Sequence, residues 1–128
     1  MFRAIPFLAI IVIAYNVIAL LTGLALSGAM MSATLPSGAA WTLTVGELLI
    51  LAGIALLFLE IVKASRSRTA GVDHALSMML FVVALLEFLL VPTCGTSVFL
   101  IITALTFIDV IAGFTVSLSA ARRDIAIT

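Results

Sequence analysis

The chain has 128 residues, 65% of them hydrophobic and 9% charged, with six basic and six acidic side chains and a formal net charge of zero. A soluble domain carries about 45–50% apolar and about 25% charged residues, so most of this chain is expected to be solvated by lipid, with no room for a separate catalytic head. Zero net charge supplies no long-range attraction for nucleic acid.

A membrane-crossing helix needs about 20 apolar residues, and the chain offers four such runs, expected at 5–26, 41–62, 74–91 and 97–119. The first run follows Met1-Phe2-Arg3 and resembles a signal peptide at its start. It is longer than the about 7–15 apolar residues of a usual leader and is expected to be retained. Pro6 is expected in its first turn, where a missing N–H costs little. The link Ser27 to Ala40 is rich in Gly, Ser, Ala and Met and is expected to lie along the membrane surface. Trp41 opens the second run, where an indole suits the interface. Asp73 is the expected N-cap of the third run and Pro92 its stop. The link Thr93 to Thr96 is short enough to force runs three and four into an antiparallel hairpin.

All six basic residues fall in alternate gaps. Arg3 precedes run one; Lys63, Arg66 and Arg68 follow run two; Arg122 and Arg123 follow run four. The other two gaps carry no charge. This is the positive-inside pattern. It predicts an all-α, antiparallel four-transmembrane-helix bundle in the cell inner (plasma) membrane, with both termini cytoplasmic. The same basic residues can contact lipid headgroups.

Small residues recur at helical spacing. Asn16, Ala19, Gly23 and Ser27 share one face of run one, and Thr106, Asp109, Gly113 and Ser117 share one face of run four. Gly46, Gly53 and Glu60 recur every seven residues in run two. Lipid provides no hydrophobic drive for helix association, so close backbone approach and hydrogen bonds must supply it. Gly23, Gly46, Gly53, Gly113 and Ser117 are therefore the expected packing positions.

Four acids lie inside the runs: Glu47, Glu60, Glu87 and Asp109. Glu60 is within one turn of Lys63 and is expected to reach the surface or pair with it. Glu47 and Glu87 are expected to share a layer in the half away from the basic gaps. Asp109 lies thirteen residues before Arg122, and Asn16 thirteen after Arg3. Equal counts predict equal depth and an Asn16–Asp109 hydrogen bond. A carboxylate near mid-bilayer costs at least about 2.5–3.5 kcal/mol when charged. Asp109 is expected to be neutral and to act as hydrogen-bonding glue, with proton or cation binding by Glu47, Glu87, Asp109 and Asn16 as the alternative. His74, beside Asp73, is expected to be an interfacial residue at the start of run three. One His without a Cys pair makes a poor metal site, and no His lies deep enough to ligate haem. No cofactor and no catalytic residue is predicted. Cys94, the single cysteine, can form no intramolecular disulfide.

The stretch Leu86-Glu87-Phe88-Leu89-Leu90-Val91-Pro92, with Phe107-Ile108-Asp109-Val110-Ile111-Ala112-Gly113-Phe114, resembles small four-span bacterial inner-membrane proteins of uncharacterised activity. In length, span count and possession of a membrane-embedded Glu the chain also resembles the small multidrug resistance transporters. That family places its key Glu in the middle of the first span, where this chain has Asn16, so no site residue carries over. The charge bias here also conflicts with the dual-topology insertion of some members. The expected function is that of an accessory or structural subunit, packed in a homo-oligomer or a larger membrane complex. A small oligomeric proton- or cation-coupled transporter or channel is the alternative.

Overall fold

Apolar runs that must satisfy their own backbone groups form helices, and the computed structural model, which describes residues 5–22, 26–66 and 70–127, is mostly helical. Helix α1 spans Leu8–Asn16 and continues as a π-helical turn, Val17–Thr22. Strands β1 (Ala29–Thr34) and β2 (Ala40–Thr44) follow, then α2 (Val45–Arg66) and α3 (Ala70–Leu90). A 3-10 turn, Pro92–Cys94, leads into α4 (Ser97–Ile127). Arg3, Gly23 and Arg68 lie outside the described residues, as do the side chains of Arg66, Asp73, Ser117, Arg122 and Arg123.

The all-α expectation is corrected by an antiparallel hairpin. Ala29–Thr34 and Ala40–Thr44 pair with Ala33 opposite Trp41 and Ser32 opposite Thr42. A bulge lies between Ala29 and Met31. The turn is Leu35-Pro36-Ser37-Gly38, closed by Gly38 N–H donating to Leu35 O at 2.8 Å. Pro36 presets the backbone of the turn, and Gly38 takes φ +89°, which favours glycine. Trp41 therefore belongs to a strand, and the second helix begins at Val45, four residues later than expected.

Two helical segments, Val45–Lys63 and Ser97–Thr115, are long and apolar enough to cross a membrane, with mean hydropathies of 2.4 and 2.2. Leu8–Leu20 and His74–Leu90 are apolar but shorter. Helix α3 starts at Ala70, ahead of Asp73, so the expected N-cap lies inside the helix. Helix α4 runs on through Arg122 and Arg123 to Ile127.

Helix α4 is the centre of the bundle. It packs against α3 in the expected antiparallel hairpin and against α2 in parallel, while α1 rests on α2 and α4. The heptad stripe of α2 makes the parallel contact. A Cβ on Gly46 would lie 2.7 Å from Val98 Cγ2, and one on Gly53 would lie 2.9 Å from Leu105 Cδ1. Val98 and Leu105 are themselves seven residues apart, so the two helices meet in matching register. The core holds Leu8, Ile11, Val12, Tyr15, Leu57, Phe99, Ile102 and Leu105. Outward-facing Ile10, Ile13, Leu51, Phe58, Met79, Leu89, Leu90 and Phe114 are exposed by about half or more. A soluble monomer rarely shows apolar surface on that scale.

Candidate functional site

Polar side chains gather at the two ends of the bundle. One end is that of Lys63 and is called the basic end; the other, near Cys94 and the hairpin, is called the uncharged end.

At the uncharged end Tyr15 is fully buried, its ring 4.8 Å from that of Phe99. Its hydroxyl donates to Thr93 O at 2.9 Å and lies 2.7 Å from Thr96 Oγ1. Thr96 caps α4 by accepting from Phe99 N–H at 3.2 Å. One turn away, Asn16 Nδ2 donates to Val12 O at 2.9 Å and to Glu87 Oε1 at 3.4 Å. The Cys94 thiol donates to Asn16 Oδ1 at 3.6 Å and faces Glu87 Oε2 at 3.9 Å. Burial first, then the neighbouring Glu87 carboxylate, pushes the Cys94 thiol pKa up. It is thus a poor nucleophile. The Asn16 amide occupies the carbonyl of Val12, and the helix widens to π geometry at the next residue. A side chain entering the backbone ladder is one recognised cause of such a distortion.

Beside this cluster α1 and α3 make little direct contact. The seam between them is a groove of about 430 Å³. Val12, Ile13 and Leu20 line one wall, Leu80 and Val83 the other, with Asn16 and Glu87 as its polar groups.

At the basic end Glu60 is 3% exposed. Its Oε2 accepts from Phe7 N–H at 3.0 Å, serving a donor at the start of α1 that no helical carbonyl can reach. The same oxygen lies 3.2 Å from Lys63 Nζ. Lys63 also donates to Ile5 O at 2.8 Å and sits 4.4 Å above the Phe7 ring. Asp109, also 3% exposed, has the Ser77 hydroxyl as a hydrogen-bonding neighbour, with Glu60 and Lys63 in electrostatic range. Its Oδ2 is buried without a hydrogen-bond partner, as is His74 Nδ1. His74 packs over Gly113, whose added Cβ would lie 3.1 Å from Nδ1.

Several expectations change. The equal-depth pairing of Asn16 with Asp109 is replaced by Asn16 with Glu87 at one end and Asp109 with Ser77 at the other. Counting back from Arg122 misplaces Asp109, because Arg122 lies inside α4 and does not mark its end. Glu47 and Glu87 both fall at the uncharged end, each with its own hydrogen-bond partners. Glu47 is exposed and closes a capping box on α2: Thr44 Oγ1 accepts from Glu47 N–H at 3.1 Å, and Glu47 Oε1 accepts from Thr44 N–H at 3.3 Å. The spacing Thr44-Val45-Gly46-Glu47 carries that signal in plain sequence. Glu60 does pair with Lys63, but buried against the start of α1 and not out at the surface. His74 lies in the second turn of α3, facing α4. Gly46, Gly53 and Gly113 sit at helix contacts as expected. Nothing in the sequence pattern marks Tyr15 or Thr96, because a lone Tyr and a link Thr carry no periodic signal.

Comparison with protein-family models, curated proteins and solved structures finds no match for this chain.

Proposed function

We propose that this chain is a four-span integral protein of the inner (plasma) membrane, with both termini cytoplasmic, acting without catalysis as an accessory subunit in a homo-oligomer or larger membrane complex. The observation that carries this reading is how the internal polar groups are used. Glu47 and Glu60 serve helix N-termini, and Glu87 ties α1 to α3 through Asn16. Leu8, Leu57, Leu105, Phe99 and Ile102 pack between the two polar ends, and the buried Thr103 and Thr106 hydroxyls there donate to carbonyls of their own helix, Phe99 O and Thr103 O. What remains open is the α1–α3 seam, an apolar groove facing sideways, where another apolar segment fits. The alternating basic residues support the cytoplasmic assignment of the basic end.

The test is purification of tagged protein from its native membrane in mild detergent, with the particle mass measured and co-eluting chains identified. A particle of fixed stoichiometry larger than one chain is expected. A monodisperse single chain overturns the reading.

One observation favours the transport alternative: Asp109 Oδ2 is buried and unpartnered, as a site for a proton or cation would be. Liposome flux measured for the parent, Glu87→Gln and Asp109→Asn separates the two. A pH-dependent flux that the variants lose while keeping their assembly supports a transporter.

A further inference from the structure

The hairpin between α1 and α2 is amphipathic to a degree that the bundle does not use. In a strand, alternate side chains point to opposite faces. Here Met31, Ala33, Leu35, Ala39, Trp41 and Leu43 fall on one face, and the register sets Met31 beside Leu43 and Ala33 beside Trp41. The other face carries Ser32, Thr34, Ala40 and Thr42, three of them hydroxyl side chains, with the Ser32 and Thr42 hydroxyls 3.4 Å apart. Residues Ala29–Thr34 of β1 and Ala40, Trp41 and Thr42 of β2 are all exposed. Met31 is 55% exposed, Leu35 41% and Trp41 37%.

We infer that this hairpin is a membrane-docking element whose apolar face lies on the bilayer interface at the uncharged end, at headgroup depth; the inference rests on the membrane-spanning reading proposed above. Four observations select lipid as the occupant. First, the hairpin is continuous with the apolar bundle. Strand β2 enters α2 without a linker, and Val45 N–H and Gly46 N–H donate to Gly28 O and Leu26 O at 3.0 and 2.9 Å. The residues just ahead of β1 are thereby clamped to the start of α2. Second, no Asp, Glu, Lys or Arg occurs between Arg3 and Glu47, so no charge has to leave water. Third, an isolated two-stranded hairpin is marginal in water and needs its apolar face covered. This face has six side chains, against about 20–30 residues per side in a specific protein interface. Fourth, open strand edges are excluded from the hydrocarbon interior, where their N–H and C=O groups would go unpaired. Among the described residues the hairpin has no third strand. It therefore lies shallow, with its edges hydrated and Trp41 at the level where indole rings concentrate.

Trp41 is the single tryptophan of the chain, so its fluorescence reports this face alone. The protein is reconstituted into phosphatidylcholine vesicles, and flotation first establishes that it is integrated. Emission is then measured with lipids brominated near the headgroup, with lipids brominated near the chain ends, and with aqueous iodide. Docking predicts a blue-shifted emission, most of it lost with the shallow bromines, less with the deep ones and little with iodide. With no basic residue in the hairpin, replacing part of the lipid by phosphatidylglycerol should change nothing. In a Trp41→Phe background, Ser32→Trp places the probe on the hydroxyl face, and the iodide and bromine responses should exchange. Iodide quenching as strong as for free tryptophan overturns docking and leaves the membrane reading intact. Protection from every quencher also overturns it, in favour of coverage by protein. Failure to float removes the membrane reading itself and docking with it.

Discussion

At the basic end Glu60 accepts from Phe7 N–H at 3.0 Å and lies 3.2 Å from Lys63 Nζ. At the uncharged end Glu87 meets Asn16 at 3.4 Å and Cys94 at 3.9 Å. The first carboxylate is buried and engaged by a backbone donor and an ammonium, contacts worth about 1.5–3 kcal/mol each when charge-assisted. The second is half-buried, and its contacts lie at the long limit of hydrogen bonding. Firm attachment at the uncharged end comes instead from Tyr15, at 2.9 and 2.7 Å. An acid inside an apolar helix is thus structural where it meets an unserved backbone group, and weakly held where it meets only other side chains.

The contrast is open to direct attack. Glu60→Leu should be the most damaging change, about 3 kcal/mol. Removing one partner of a buried pair costs about 3–5 kcal/mol, and Lys63, with 18% of its side chain exposed, recovers part of that by hydration. Unfolding in mixed micelles would read it. Glu60→Gln, which still accepts from Phe7 N–H, should lose less; equal losses would refute the role assigned to that bond. Gly46→Ala should cost about 1–3 kcal/mol by overpacking, because its new Cβ meets the stiff Val98 side chain and also Leu26 O at 3.3 Å. Gly53→Ala should cost less in the same assay, since Leu105 Cδ1 is the movable end of its side chain.

Asp109→Leu should lose about 1–2 kcal/mol by stranding the Ser77 hydroxyl, and Asp109→Asn should lose less. The reverse order would contradict hydrogen-bonding glue. At the uncharged end Tyr15→Phe should lower stability by about 1 kcal/mol, leaving Thr93 O short of a donor. Glu87→Gln should stay within about 0.5 kcal/mol of the parent. A larger loss for Glu87→Gln would reverse the ranking of the two contacts.

The smallest effect concerns Cys94. Folding raises its thiol pKa above the ordinary 9.0, so the folded chain favours the protonated thiol. Its contribution to stability is complete below the ordinary value and is lost as pH rises through the folded value. Alkylation by a maleimide near neutral pH should run slower in the folded protein than in the unfolded one. Equal rates would show the thiol to be open to solvent.

Much of this architecture is legible in the order of residues alone. The apolar runs mark the helices, the link from Thr93 to Thr96 marks the α3–α4 hairpin, and the seven-residue spacing of Gly46, Gly53 and Glu60 marks a packing face of α2. The capping box at Thr44 and Glu47 has its own spacing, and two alternating segments around Pro36-Ser37-Gly38 spell a hairpin. Both signals are short and sit at the edge of a long apolar run, whose hydropathy outweighs them. The partner of Asn16 is not legible. Depth counts need true helix ends, and α4 extends past the arginines that would mark its end.

By itself the amino-acid sequence determined the helical runs, two of them long and apolar enough to cross a membrane, and the alternation of basic and uncharged gaps, because these depend on composition and order along the chain. Only the tertiary structure decided which polar group meets which. That choice follows from helix register and from how closely glycine lets two backbones approach. It put Glu60 under the start of α1, Asn16 against Glu87, and the hydroxyl and apolar faces of the hairpin on opposite sides.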